Sequence, residues 1–207
     1  KGKTRQLGDG QTMANKLGIP VVYDFRTNDI SEGGQGAPLC PIYHAALLKK
    51  IGATSTTAIL NLGGLGNLSC YSEKYDLIAF DTGPANAPVN DWIKSFNLGQ
   101  MDIGGEIAAR GKVDECKLAE ILNDPYFEVS FPKSLDRFDF SYKIAEGMSL
   151  EDGAATLTAL VGASVGKGLD LLPIRPTRLI VSGGGRKNPT MMQEISSRAN
   201  INVETAD

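Results

Sequence analysis

Four stretches of the chain carry residues whose types and spacing suit chemistry. The first places Asp24, Arg26 and Asp29 within six residues. Asp29 stands just ahead of the flexible Gly33-Gly34-Gln35-Gly36 segment, where a carboxylate can face a cleft and accept a proton as a general base. The competing reading is an aspartate that caps a turn. Asp24 is expected instead to hold Arg26 in a structural ion pair. The second stretch, Asn61-Leu62-Gly63-Gly64-Leu65-Gly66-Asn67, is rich in glycine, which lets a chain turn sharply and set bare amides against an anion. The third is Phe80-Asp81-Thr82-Gly83-Pro84-Ala85-Asn86 and the fourth Ser182-Gly183-Gly184-Gly185. Each of these also fits a tight turn that touches nothing, and none has the lysine and Ser/Thr spacing of a P-loop. In combination they offer glycine beside Asn, Asp, Thr or Ser three times, as a phosphate, a ribose and a purine spread across one cleft require.

Other candidates carry less. His44, the single histidine, has no second ligand of its kind nearby in sequence and is expected to pack or hydrogen-bond. Arg186 and Lys187 either touch a phosphate or are simply solvated. No metal-ligating cluster is expected.

Positioning these groups falls to an alternating pattern of strands and helices. A turn at Leu7-Gly8-Asp9-Gly10 leads into a short helix, Gln11 to Leu17, that stops at Gly18. Pro20-Val21-Val22-Tyr23 reads as a short strand delivering Asp24, Arg26 and Asp29 to its far end, and Pro41 opens a helix from about Ile42 to Lys50. Three successive strands are expected at about 56 to 62, 67 to 72 and 76 to 81, joined by the glycine turn and by a polar turn at Ser72-Glu73-Lys74. From Asn90 to about Asp124 the pattern is helical, with Cys116, Leu118, Ile121 and Leu122 at helical spacing before Asn123-Asp124-Pro125 ends the run. Residues 125 to 141 read as irregular and aromatic. Ser149 caps a helix with Asp152 in the reciprocal position, and the small-residue run Ala154 to Leu172 packs closely. Thr177 to Val181 is a buried strand, after which Asn188 and Pro189 cap and begin a helix. The succession implies one α/β domain.

Composition narrows the function classes. At 207 residues, with a net charge of −3 and no clustered Lys and Arg, the chain lacks the basic face that nucleic-acid binding needs. Its three cysteines, Cys40, Cys70 and Cys116, form no Cys-x-x-Cys pair, so neither a disulfide framework nor a zinc site is expected. There is no apolar run of the roughly 18 residues a membrane span needs, and a cytoplasmic location is the expectation. The chain begins Lys-Gly-Lys-Thr and stops just after a strand, which reads as part of a longer protein.

The blocks Asp24-Phe25-Arg26 with Asp29, Gly33-Gly34-Gln35-Gly36-Ala37-Pro38-Leu39, Asn61 to Asn67 and Phe80 to Pro84 closely resemble the anhydro-N-acetylmuramic acid kinase family. So do Asp102-x-x-Gly105-x-x-Ala108-x-x-Gly111, Asp124-Pro125-Tyr126-Phe127, Pro132-Lys133-Ser134 with Arg137, Ala155 to Thr158 and Ser182 to Gly185, all in order along nearly the whole chain. The resemblance implies an α/β, ribonuclease-H-like (actin-like ATPase) domain with a mixed sheet flanked by helices, of the actin-like, sugar kinase and heat-shock ATPase superfamily. It divides the chain into a lead-in segment, 1–54, carrying the interdomain catalytic Asp29 and the Gly-rich loop, and a second ATPase-type domain, 55–207, with the first domain largely absent.

The resemblance further implies that Asn61, Gly63, Gly64, Gly66 and Asn67 form the second phosphate loop. Asp81, Thr82, Gly83 and Asn86 would lie near the nucleotide, and Gly183, Gly184 and Gly185 would line the adenosine. Asp29 matches the family's base, which activates a water that opens the 1,6-anhydro ring while the freed sugar oxygen takes the γ-phosphoryl group from ATP with Mg2+. The implied product is N-acetylmuramic acid 6-phosphate, an intermediate of cell-wall recycling, and the family tends to dimerise. Two departures stand out: Ala85 replaces a usual third glycine, and Leu135-Asp136 stands where Thr-Gly is common. The family's amino-terminal Gly-Thr-Ser-x-Asp-Gly loop and its carboxy-terminal segment have no counterpart, so this length of chain alone is expected to be a poor enzyme. The alternatives are a kinase of the same superfamily for another sugar, and a non-catalytic nucleotide-binding module.

Overall fold

The structure, a computed structural model, describes residues 4–206 apart from Gln35, Pro38, Glu73 and Tyr75. The expectations that rest on Gln35 and Pro38 in the glycine segment and on Glu73 in the polar turn therefore lie outside the described residues. The chain divides into two compact units, one up to Cys40 and one from Pro41 onward.

The first unit is helical. Helix α1 (Gly10–Leu17) is capped by Asp9, whose carboxylate accepts from the Gln11 amide, and it ends at Gly18 in the left-handed conformation that glycine adopts without strain. The strand expected at Pro20 to Tyr23 does not form. Among the described residues of this unit there is no other strand, and an isolated β-prone tetrapeptide has nothing to satisfy its amides and carbonyls. Helix α2 (Phe25–Ser31) follows instead, with Asp24 at its N-cap position in a left-handed conformation. Asp29 therefore sits within a helix and not at a strand exit. The expected Asp24–Arg26 ion pair is also absent among the described residues: the Arg26 guanidinium donates to the Gly36 carbonyl at 2.6 Å.

The second unit is a five-stranded mixed sheet. Helix α3 (Pro41–Lys50) precedes β1 (Thr57–Leu62), β2 (Leu65–Ser72) and β3 (Asp76–Pro84), which form an antiparallel meander. Helix α4 (Asn86–Ser95), α5 (Glu115–Ile121) and α6 (Leu150–Asp170) follow, then β4 (Arg178–Gly183), α7 (Pro189–Arg198) and β5 (Asn202–Thr205). The strand order is β3-β2-β1-β4-β5, with β4 parallel to both β1 and β5. Helices cover both faces, which is why β1 is buried along almost its whole length rather than alternating.

On one face Leu60, Leu62, Leu68 and Phe80 meet Leu157, Val161, Val165 and Leu169 of α6 in a single core. On the other, α3 sends His44 to Ser69 (Nδ1···Oγ 2.8 Å) while the Tyr71 hydroxyl donates to the Ala45 carbonyl (2.8 Å). The packing role expected of His44 is thus what the fold shows. Helix α6 is apolar on nearly every side because it is sandwiched: a Cβ added at Gly162 would lie 2.5 Å from the Glu194 carbonyl oxygen of α7. The expected capping of α6 is present in part. Ser149 Oγ accepts from the Asp152 amide at 3.1 Å, but the Asp152 carboxylate accepts from the Lys112 amide at 2.7 Å.

The helix expected from Asn90 to Asp124 is replaced by α4 and α5 with an irregular connection. Asn97, Gly99, Gly104 and Gly105 all take positive φ there, which no continuous helix admits. Asp102 organises this connection by accepting from the Ile107 and Ala108 amides, each at 2.9 Å. Strand β2 begins two residues earlier than the expected 67, and β3 runs on to Pro84.

Candidate functional site

Three of the glycine stretches singled out in the sequence converge at one end of the sheet. β1, β3 and β4 all run in the same direction, so their carboxyl ends lie side by side, the arrangement by which open α/β sheets bind ligands. The turn between β1 and β2 is Gly63-Gly64. Gly63 and Gly64 accept from the Asn86 and Ala85 amides, both at 3.0 Å, which ties the hairpin to the β3–α4 junction. Gly64 is exposed, and among the described residues its amide has no hydrogen-bond partner. The Asn86 side chain closes the corner by donating to the Leu62 and Gly63 carbonyls at 3.0 and 2.8 Å.

The β4 end is held as tightly. Gly183 pairs with Leu62 and has φ 80 and ψ −178, a combination open essentially to glycine alone. A Cβ there would lie 2.5 Å from the Leu62 carbonyl oxygen, and one on Gly185 would lie 2.6 Å from the Leu62 Cβ. Gly184, between them, faces open space.

A polar row crosses four strands on the α3 face. Register places Asp81 beside Asn67, Asn67 beside Asn61 and Asn61 beside Ser182. Asn67 Nδ2 donates to Asp81 Oδ1, Asn61 Nδ2 to Asn67 Oδ1 at 3.4 Å, and Ser182 Oγ to Asn61 Oδ1 at 3.4 Å. The second Asp81 oxygen accepts from the Leu135 amide at 2.9 Å. Burial pushes the Asp81 carboxyl above its ordinary value, and those two hydrogen bonds pull against that rise. Asp81 therefore serves as the anchor of the row and not as a free carboxylate. Thr82 and Gly83 lie in the core: Thr82 Oγ1 donates to the Gly66 carbonyl at 3.2 Å, and a Cβ on Gly83 would lie 2.6 Å from Ser164 Cβ.

Behind Asp81 sits Lys133, 6% exposed. Its ammonium donates to the Tyr126 carbonyl at 2.8 Å and lies 4.3 Å from the centre of the Tyr126 ring. Desolvation brings its pKa down to about 8. The Tyr126 hydroxyl in turn donates to the Asp81 carbonyl at 2.5 Å, and burial pushes its pKa up.

A cavity of about 460 Å3 opens beside the converged strand ends, in the size range of small-ligand sites. Asn86 and Gly184 reach it from the strand ends, Asn90 from α4, Met101 and Ile103 from the connection that Asp102 organises, and Lys187 from the turn after β4. Of the two basic residues considered from sequence, Lys187 lines this cavity, whereas Arg186 folds back to donate to the Gly183 carbonyl at 2.8 Å. Asn90, Met101 and Ile103 had no sequence signal of their own. Only the Asp102 to Gly111 glycine and alanine spacing marked the segment that carries Ile103, next to Met101. Among the described residues no group of His, Cys, Asp and Glu is arranged to hold a metal ion.

Asp29 belongs to the first unit. Its Oδ2 accepts from the Gly36 amide at 2.7 Å and its backbone carbonyl from the Gly34 amide at 2.8 Å.

Comparison with known proteins places this arrangement. The family model described as anhydro-N-acetylmuramic acid kinase matches residues 1–207. The chain belongs to that family. It is 58% identical over 202 residues to an anhydro-N-acetylmuramic acid kinase of Brucella anthropi, covering 98% of the chain and 54% of that protein. To the Mesorhizobium japonicum protein of the same name it is 54% identical over 206 residues, covering 100% of the chain and 56% of that protein. The chain thus spans about half the length of the curated relatives it matches. Among solved structures, xylulose kinase from Rhodospirillum rubrum superposes with a TM-score of 0.51 at 15% identity, over 94% of this chain and 42% of that one. The activator of the 2-hydroxyisocaproyl-CoA dehydratase from Clostridium difficile, solved with bound ADPNP, gives 0.50 at 14% identity, over 79% and 58%. The fold is that of the actin-like ATPase and sugar kinase domains, with the mixed sheet flanked by helices that the resemblance implied.

Proposed function

We propose that this chain carries the nucleotide-binding part of an ATP-dependent sugar kinase that opens the 1,6-anhydro ring of anhydro-N-acetylmuramic acid and phosphorylates it to N-acetylmuramic acid 6-phosphate. The observation that carries the reading is the convergence of the β1, β3 and β4 ends beside a cavity of about 460 Å3 in a member of this family. In this reading residues 1–54 are a lead-in segment carrying Asp29, and residues 55–207 are the second ATPase-type domain. The hairpin Asn61 to Asn67 faces phosphate with the Gly64 amide. Asp81, Thr82 and Gly83 hold the backbone behind it, Asn86 fixes the corner, and Gly183 to Gly185 let the adenosine approach. The apolar lip of Met101 and Ile103 suits a purine face, and Lys187 supplies a positive charge at the rim.

Phosphoryl transfer depends chiefly on positioning and charge stabilisation. Asp29 takes a proton from water as that water bonds to the anomeric carbon. The bond from that carbon to the bridging oxygen breaks, and the bridging oxygen takes the γ-phosphoryl group as ADP leaves. Mg2+ would ride on the phosphates and waters, as this hard, reluctantly dehydrated ion does, and would neutralise charge there. The protein's residues suit that mode better than a dedicated cage, since both Asp81 oxygens are engaged by Asn67 and Leu135. A cytoplasmic location and a homodimer go with this reading; light scattering on the purified protein tests the dimer.

The decisive test is Asp29→Asn in a protein spanning the full length of the relatives. Sugar phosphorylation is expected to be lost while ATP still binds. Retained turnover removes Asp29 from the base role, and an unsubstituted enzyme that releases no ADP with the anhydro sugar points to a different sugar.

A further inference from the structure

Arg26 lies three residues before Asp29 on α2, the helical spacing at which opposite charges ordinarily pair. Here no such pair forms among the described residues. The guanidinium Nη1 instead donates to the Gly36 carbonyl at 2.6 Å, and the amide of the same glycine donates to Asp29 Oδ2 at 2.7 Å. One residue, held at φ +74, thus offers its carbonyl to Arg26 and its amide to the carboxylate. Gly34 closes the other side: its amide donates to the Asp29 carbonyl at 2.8 Å, and a Cβ there would lie 2.2 Å from Asp29 Oδ2. The carboxylate is confined by glycine backbone, with Oδ2 occupied. Among the described residues Oδ1 has no hydrogen-bond partner.

We propose that Arg26 is a positioning residue, which anchors the Gly36 peptide so that its amide holds Asp29 Oδ2 and leaves Oδ1 presented to accept a proton. The proposal rests on Asp29 being the base. Pairing Arg26 directly with Asp29 would occupy the oxygen the base needs, so spending the guanidinium on a carbonyl preserves it. Arginine suits the task because its planar donor fork keeps one orientation, whereas lysine offers a point charge on a flexible stem. Glycines at 33, 34 and 36 contribute no side chains that could hold the loop, and Arg26 supplies an anchor from α2.

The test compares Arg26→Gln, Arg26→Lys and Asp29→Asn in a protein spanning the full length of the relatives, with kcat and both KM values measured and the thermal midpoint followed. Displacing a catalytic group by about 1 Å typically costs on the order of 100-fold in rate. Arg26→Gln is therefore expected to lower kcat by roughly that factor, with KM for sugar and for ATP within about twofold. Arg26→Lys, which keeps one donor for the Gly36 carbonyl, is expected to recover about tenfold of the loss. A merely structural role would lower the thermal midpoint and would not divide kcat from KM in this way. The proposal is overturned if Arg26→Gln retains kcat while Asp29→Asn is inactive. It is equally overturned if the loss falls on KM, or if Arg26→Lys is no better than Arg26→Gln. Turnover by Asp29→Asn would instead overturn the base assignment itself, so the two failures are distinguishable.

Discussion

Gly183 offers the sharpest single perturbation of the strand-end cluster. Its φ of 80 and ψ of −178 lie outside what an L side chain adopts comfortably, at a cost of about 1–3 kcal/mol. An alanine Cβ would also sit 2.5 Å from the Leu62 carbonyl oxygen and 2.8 Å from Asn61 Oδ1, overlaps that cost about another 1–3 kcal/mol in a packed site. A conservative combined value of about 3 kcal/mol can surface in two ways. If the loop keeps its shape, the folded state carries the strain, and for a domain of this size each kcal/mol lowers the melting midpoint by about 2–4 °C, giving roughly 6–12 °C. If the loop relaxes, stability is spared, but nucleotide binding must restore the strained form, and at 1.4 kcal/mol per decade the Kd for ATP rises on the order of 100-fold. Gly183→Ala is therefore assayed by both thermal melting and ATP titration. Gly184→Ala is the control. Gly184 lines the cavity and an added Cβ meets no heavy atom within 4 Å, so its melting midpoint is expected to stay within about 1 °C. A Gly183→Ala protein with parental midpoint and parental Kd would refute the strained-loop account.

Two pH effects follow from burial. His44, 2% exposed, has its pKa lowered by desolvation from 6.5. The unfolded chain then binds a proton that the folded one resists, so stability is expected to fall as pH drops below 6.5 and the slope to flatten in His44→Asn, measured by urea melts between about pH 5 and 7. Lys133 acts with the same sign in an alkaline window. With its pKa lowered from 10.5 to about 8, the folded state releases its proton first and stability rises as pH climbs from about 8 to 10.5. The full lowering corresponds to about 3 kcal/mol. Lys133→Met should remove that rise, and a slope that survives the substitution would place its source elsewhere. The losses expected in Asp29→Asn and Arg26→Gln complete the set.

Local chemistry made much of the second unit legible. Thr57 to Leu62 and Arg178 to Val181 are rich in β-branched and aliphatic residues and lead into glycine turns, and they form strands because a sheet is available to pair with. Ser149 and Asn188 carry side-chain oxygens that satisfy the orphan amides of α6 and α7. Gly18 ends α1 because the left-handed region is open to it. These outcomes depend on a few neighbouring residues, so sequence suffices for them. Pro20 to Tyr23 shows the limit: its residues favour a strand, but a strand exists only with a partner, and none forms among the described residues of its unit. Residues 90 to 124 show another, since helical spacing at 116 to 122 gave no warning that positive φ at Asn97, Gly99, Gly104 and Gly105 would break what precedes it.

The sequence by itself determined which residues the candidate site has to work with: the glycine turns, the polar residues beside them, and Asp29 next to a glycine-rich segment. Register decided how they act. Pairing Asn61 with Asn67 and Ser182, and Asn67 with Asp81, turned separated polar residues into one row and made Asp81 an anchor. Such pairings join residues up to 121 positions apart, and only the assembled sheet brings them within hydrogen-bond reach. The cavity wall from Met101 and Ile103 and the reach of Arg26 to Gly36 arose in the same way, through backbone geometry fixed by distant or non-periodic contacts that no local pattern encodes.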